Sequence, residues 1–125
     1  MDEAGKNVPS NPPPQLPDHV TVETFKQISL RTGVVLSAQD HPNADRLLVL
    51  QVDIGEAAPR QLVAGIKGSY QAADLIGKQV IVVANMKPAQ LRGVESQGMV
   101  LATSDEGAVV LISPERSVRA GSTVK

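Results

Sequence analysis

Apolar residues in this chain come in short runs with a period near two, separated by glycines, prolines and polar residues. The pattern predicts strands rather than long helices. Leu30 to Leu36 begins the first strand. The second covers residues 47–54, with Leu48, Leu50, Val52 and Ile54 on one face and Gln51 and Asp53 on the other. Gly55 ends it. A third strand is expected over 61–66, where Gly65 permits a bulge or a close backbone approach. Val80, Ile81, Val82, Val83 and Ala84 form a β-branched run too short for a core helix. They predict a buried fourth strand over 79–84. A fifth is expected over 98–103.

Helical spacing occurs twice. Thr21 is a plausible N-cap with Glu23 in the first turn, and Val22, Phe25 and Ile28 fall on one side. Residues 69–77 read as a short helix capped by Ser69 and closed by Gly77. Three strands, a helix and two strands is the order of a five-stranded OB barrel, an all-β fold. Residues 1–19 hold Pro9, Pro12, Pro13, Pro14 and Pro17 between polar spacers. They predict a proline-rich disordered tail, linker or arm, with a proline-rich ligand for a partner domain as the alternative. The domain proper is expected over 20–125.

Between the fourth and fifth strands lies a polar, basic loop. Pro88 breaks the apolar run, and Leu91-Arg92-Gly93-Val94 turns the chain. Asn85, Lys87, Gln90, Arg92, Ser96 and Gln97 are donors, and Glu95 is the only acid among them. A donor-rich cationic loop held between rigid strands suits a polyanion. Net charge is −1, but its distribution changes the picture. Residues 1–20 carry a net −2, with Lys6 against Asp2, Glu3 and Asp18. Residues 60–92 carry a net +4, with Arg60, Lys67, Lys78, Lys87 and Arg92 against Asp74. That segment reads as a phosphate-binding patch or as a solvated lysine-rich face.

Composition removes several classes. There is no cysteine, so disulfide scaffolds and thiolate metal sites are excluded. His19 and His41 sit in no ligand-spaced cluster, and no cofactor or metal is expected. No signal peptide or membrane-length apolar run is visible, which fits a cytoplasmic protein. No glycine-rich phosphate loop, nucleophile elbow or carboxylate dyad is present, and Ser96 has no adjacent histidine. The chain is therefore not expected to be an enzyme on its own. With one Phe, one Tyr and no Trp, it lacks an aromatic stacking platform. Recognition should lean on backbone shape and charge. Met86 and Met99 read as core filler or as contacts to an unstacked base.

Two stretches carry a family resemblance. Asn85-Met86-Lys87-Pro88-Ala89-Gln90-Leu91-Arg92-Gly93-Val94-Glu95-Ser96-Gln97-Gly98-Met99 resembles the signature loop of the tRNA-binding domain. That module is appended to bacterial methionyl-tRNA synthetases and occurs in free-standing relatives. His41-Pro42-Asn43-Ala44-Asp45-Arg46-Leu47 resembles the family's first strand-to-strand turn. The resemblance covers about residues 22–125. The family usually has an Asp where this chain has Ser29, which puts a carboxylate contact there in doubt.

The resemblance implies a module that recognises tRNA shape more than sequence. It would act as a domain or subunit beside a methionyl-tRNA synthetase catalytic chain, or as a free-standing protein. Met1 and the complete tail favour the latter. It points to Asn85, Lys87, Arg92, Ser96 and Met99, with Lys67, Ser69 and Arg46 nearby. Lys87 and Arg92 would pair with phosphates, while Asn85 and Ser96 would donate to sugar, phosphate or a base edge. A related export-chaperone family uses the same barrel, so a protein-binding module is the alternative. Its stretch matching His41–Leu47 differs, and the match here is to the synthetase form. Finally, Ala108-Val109-Val110-Leu111-Ile112 is one apolar strand more than the barrel needs. Residues 105–125 are expected to form a C-terminal β extension that makes a homodimer, as in the family. The alternative is a strand folded back on its own barrel.

Overall fold

The computed structural model describes residues 16–125. The expected proline-rich tail lies outside the described residues up to residue 15; residues 16–20 are exposed and have no regular structure. Helix α1 (Val22–Phe25) begins where the sequence places its cap, with the Thr21 hydroxyl accepting from the Thr24 amide at 3.1 Å.

Strand β1 (Leu30–Asp40) organises the barrel. Residues 30–34 pair with β4 (Gln79–Val83), and residues 34–40 pair with β2 (Leu48–Asp53), both antiparallel. One strand serves two neighbours because it bends. The register with β2 shifts between Val35 and Ser37, leaving Leu36 in a bulge that re-aims the chain. Of the two roles open to Gly65, a bulge is not taken up: β3 (Arg60–Ala64) ends before it. A Cβ on Gly65 would meet only Leu47, at an ordinary 3.7 Å. Antiparallel pairing continues to β7 (Met99–Val100), in the order β3-β2-β1-β4-β7. The result is an OB-type, nearly closed barrel.

The core confirms the alternation. Leu48, Leu50, Val52 and Ile54 point inward with Val35, Leu62, Ile66, Val80 and Val82. Ile81 and Val83 face the other way into a second cluster with Leu30, Leu101 and Val124. Strand β4 is thus buried on both faces from Val80 to Val83, which is why those four residues are continuously apolar. Helix α2 (Ala72–Leu75) is shorter than the 69–77 expected and inserts Leu75 into the core. Ser69 is not its cap. Gln71 occupies that position without a side-chain bond, and the Ser69 hydroxyl accepts from the Val109 amide instead.

The C-terminal extension is mostly folded back. β8 (Ala102–Asp105) and β9 (Ala108–Leu111) form a hairpin around Glu106 and Gly107, both at positive φ. Val109 and Leu111 pack on the core, and the Leu111 amide donates to the Tyr70 hydroxyl at 3.0 Å. The expected fifth strand 98–103 is therefore two pieces, β7 and β8, because the second half turns away to pair with β9. The chain ends in β10 (Thr123–Val124), which pairs with Leu30 and Arg31 of β1 beyond the end of β2.

Gly121 lets this tail close. Its φ is +86°, and a Cβ there would lie 2.5 Å from the Ile54 carbonyl oxygen. Gly121→Ala is expected to lower stability by about 2 kcal/mol or more, read by urea unfolding. An unchanged midpoint would show that the tail is not part of the cooperative fold.

Candidate nucleic-acid interface

The basic loop is not a loop. Residues 89–96 form a β-hairpin arm, β5 (Ala89–Leu91) against β6 (Val94–Ser96), paired Ala89 with Ser96 and Leu91 with Val94. Arg92 and Gly93 make its two-residue turn, with φ of +53° and +89°. Two positive φ values are what a type I′ hairpin turn demands, and Asn-Gly is its preferred sequence. Arginine in the left-handed region carries roughly 1 kcal/mol of backbone strain. The arm nevertheless has an exposed cation at its tip.

Two residues expected to touch RNA have their polar atoms engaged in the fold. Ser96 is only 3% exposed; its hydroxyl accepts from the Val63 amide at 3.0 Å and donates to the Gly98 carbonyl at 2.9 Å. The Asn85 side chain accepts from the Ser29 amide at 2.9 Å and donates to the Gln27 carbonyl at 2.7 Å. Both residues set where the arm leaves the barrel. At Ser29 it is the backbone amide that meets Asn85.

Arg60 belongs to the same seam. Its guanidinium donates to the Ala84 and Gln97 carbonyls and to both Glu56 oxygens. The bidentate bond from Arg60 holds the Glu56 carboxyl below its usual 4.5, and Glu56 in turn raises Arg60. Gln97 adds two bonds to the Gln61 backbone, at 2.8 and 2.9 Å. Sequence reading counted Arg60 only as a charge. Glu56 is only four residues away, but the two carbonyls that Arg60 braces lie 24 and 37 residues away, so spacing carried no signal of that role.

The other residues expected to meet RNA are divided between two places. Lys87 stands exposed at the base of the arm and Arg92 at its tip; Met86 and Met99 are exposed too. Arg46, Lys67 and Ser69 line a separate open cleft of about 560 Å³ with Asp45, Gly65 and Val109. Lys67 pairs with Asp40 at 3.1 Å, but the pair is solvent-exposed and of little net worth. The turn 41–47 connects the two places. Its Leu47 carbonyl accepts from His41, its Arg46 carbonyl accepts from Lys67, and Asn43 reaches the Arg92 carbonyl at 3.4 Å.

The family described as "Putative tRNA binding domain" matches residues 30–123, three quarters of the chain. The chain belongs to this tRNA-binding domain family. It is 44% identical over 108 residues to the methionine–tRNA ligase of Thermococcus kodakarensis. It is 50% identical over 105 residues to that of Methanococcus aeolicus. These matches cover 86% and 84% of the chain but only 14% and 15% of the ligases, about a seventh of their length. Among solved structures, a MetRS-related protein from Pyrococcus horikoshii superposes with a TM-score of 0.80 at 34% identity. That match covers 86% of this chain and 99% of the other. The chaperone CsaA of Bacillus anthracis gives 0.78 at 31% identity, over 86% of this chain and all of the other.

Among the described residues no group of three or more His, Asp or Glu could hold a metal, and no helix is long and apolar enough to cross a membrane.

Arg92→Asn removes the charge and installs the residue best suited to the turn. It is expected to raise unfolding stability by about 0.5–1 kcal/mol in urea. A loss of stability would mean that Arg92 supports the fold rather than the surface.

Proposed function

We propose that this chain binds tRNA through the arm and the 41–47 turn, reading backbone shape and charge rather than base sequence. Arg92 is the observation that carries the reading. A strained arginine occupies a turn position where asparagine would be cheaper, which makes sense if the cation itself is used. Lys87 and Arg92 would meet phosphates along the arm, and Arg46, Lys67 and Ser69 would meet them across the turn. Ser69 still has a hydroxyl proton to donate. Asn85 and Ser96 would serve by fixing the arm, and Met99 by packing under a base or sugar.

The domain performs no chemistry of its own in this reading. It holds tRNA beside a methionyl-tRNA synthetase catalytic chain in the cytoplasm and raises its local concentration. Likeness to a chaperone favours one competing reading, a module for unfolded polypeptides. A gel-shift titration with bulk tRNA and with a denatured polypeptide separates them. Tight binding of tRNA is expected, with log affinity falling against log salt at a slope of roughly −3 to −4. Lys87→Ala and Arg92→Asn should each weaken it by about 1–2 kcal/mol. A flat salt response, or preference for the polypeptide, would overturn the reading.

The same proposal includes a homodimer through the end of the C-terminal extension. Its support is apolar surface. Phe25, the only phenylalanine, is 42% exposed and lines an open groove of about 290 Å³ with Val22, Ile28, Leu30 and Val124. Such a patch beside the β10 edge suits a second copy. Sedimentation equilibrium at micromolar concentration should give twice the mass of one chain, and Phe25→Asp should halve it. A wild-type mass of one chain would contradict the dimer.

A further inference from the structure

The arm has a mechanical problem. Its strands are three residues each, and a two-stranded hairpin of that size is not stable by itself in water. Ser96, Gln97 and Arg60 hold its base, but those bonds stop at β6. The tip at Arg92-Gly93 lies beyond them. Only if the tip is fixed does a binding partner avoid the entropy of ordering it.

The turn after β1 reaches that tip. His41 is 5% exposed, one of few buried polar side chains among the described residues. Its Nε2 lies 2.9 Å from the Leu91 carbonyl, and its Nδ1 lies 2.9 Å from the Asn43 amide nitrogen. The amide can only donate and the carbonyl can only accept. The ring is therefore the neutral tautomer, accepting at Nδ1 and donating from Nε2. Asn43, positioned by Nδ1, adds its own bond to the Arg92 carbonyl. One imidazole thus joins two elements 50 residues apart.

We propose that His41 is a positioning residue for nucleic-acid binding: through the Leu91 carbonyl and Asn43 it latches the arm tip to the 41–47 turn. The latch makes Arg92 on one side and Arg46 with Lys67 on the other a single rigid cationic edge. It touches no phosphate itself. The inference rests on the arm being the tRNA-binding surface.

Two substitutions separate the latch from the local turn. His41→Asn keeps an acceptor where Nδ1 stood, able to form an Asx turn to residue 43, but cannot reach Leu91. His41→Gln keeps a donor at the distance of Nε2. Amide exchange on the free protein reads the latch directly. With His41→Asn, exchange at Leu91 and Val94 should rise about tenfold while residues 48–53 and 79–83 stay protected; His41→Gln should stay near wild type. In titrations with bulk tRNA, His41→Asn should weaken binding about fivefold in the wild-type background. In the Arg92→Asn background it should weaken binding less than twofold, since the cation it positions is gone. Unchanged exchange at Leu91 and Val94 would overturn the latch. A loosened tip with no loss of tRNA affinity from either His41→Asn or Arg92→Asn would overturn the reading of the arm as the interface. Equal effects of His41→Asn in both backgrounds would overturn positioning of Arg92.

Discussion

The seam between β3 and residues 95–98 is the constraint on which the rest of the molecule depends. A barrel of short strands must close, and here it closes without a full ladder. One backbone bond, Gln97 to Gln61, is supplemented by side chains. Ser96 stands in as acceptor for the Val63 amide, and the Gln97 side chain does so for the Gln61 amide. Gln61 itself reaches the Glu95 carbonyl. A buried amide left without a partner costs about 1–3 kcal/mol, so Ser96 and Gln97 are under strong structural demand. Gly98, whose Cβ would lie 2.9 Å from the Val83 carbonyl oxygen, lets the chain pass this close.

Closing the barrel in this way also launches the arm. Glu95 and Ser96 of the seam are also the end of the hairpin's second strand, and Gln97 follows directly, so the rigidity of the core passes to the exposed cations. A division of labour follows among the positive charges. Arg60 is neutralised by Glu56 and spends its donors on carbonyls, which makes it a brace. Lys87 and Arg92 are left to solvent. Local net charge therefore overstates what a polyanion would meet, and position in the fold decides which charges count.

Much of the fold was legible in sequence because burial imposes a period. The alternation over 48–54 and the unbroken run at 80–83 followed from one-sided and two-sided burial. Leu91-Arg92-Gly93-Val94 announced a turn through its glycine, and Thr21 announced a cap. The site was less legible. A polar side chain's type does not reveal whether it points at solvent or at a backbone amide 33 residues away, as Ser96 does. Ser69 illustrates the same ambiguity, since a hydroxyl suited to capping a helix serves β9 instead. The arm looked like a loop because its strands are too short for alternation to register. His41 sat in a motif that read as turn chemistry, and only the folded chain brings Leu91 to it.

The central claim is that the arm and the 41–47 turn form one nucleic-acid surface. Amide exchange footprinting with bulk tRNA at low salt tests it most directly. Protection is expected to concentrate in residues 86–95, 41–47 and 65–69, leaving α1 and β10 unchanged by tRNA itself. Protection confined to α1 and β10, or none at the arm, would contradict the account.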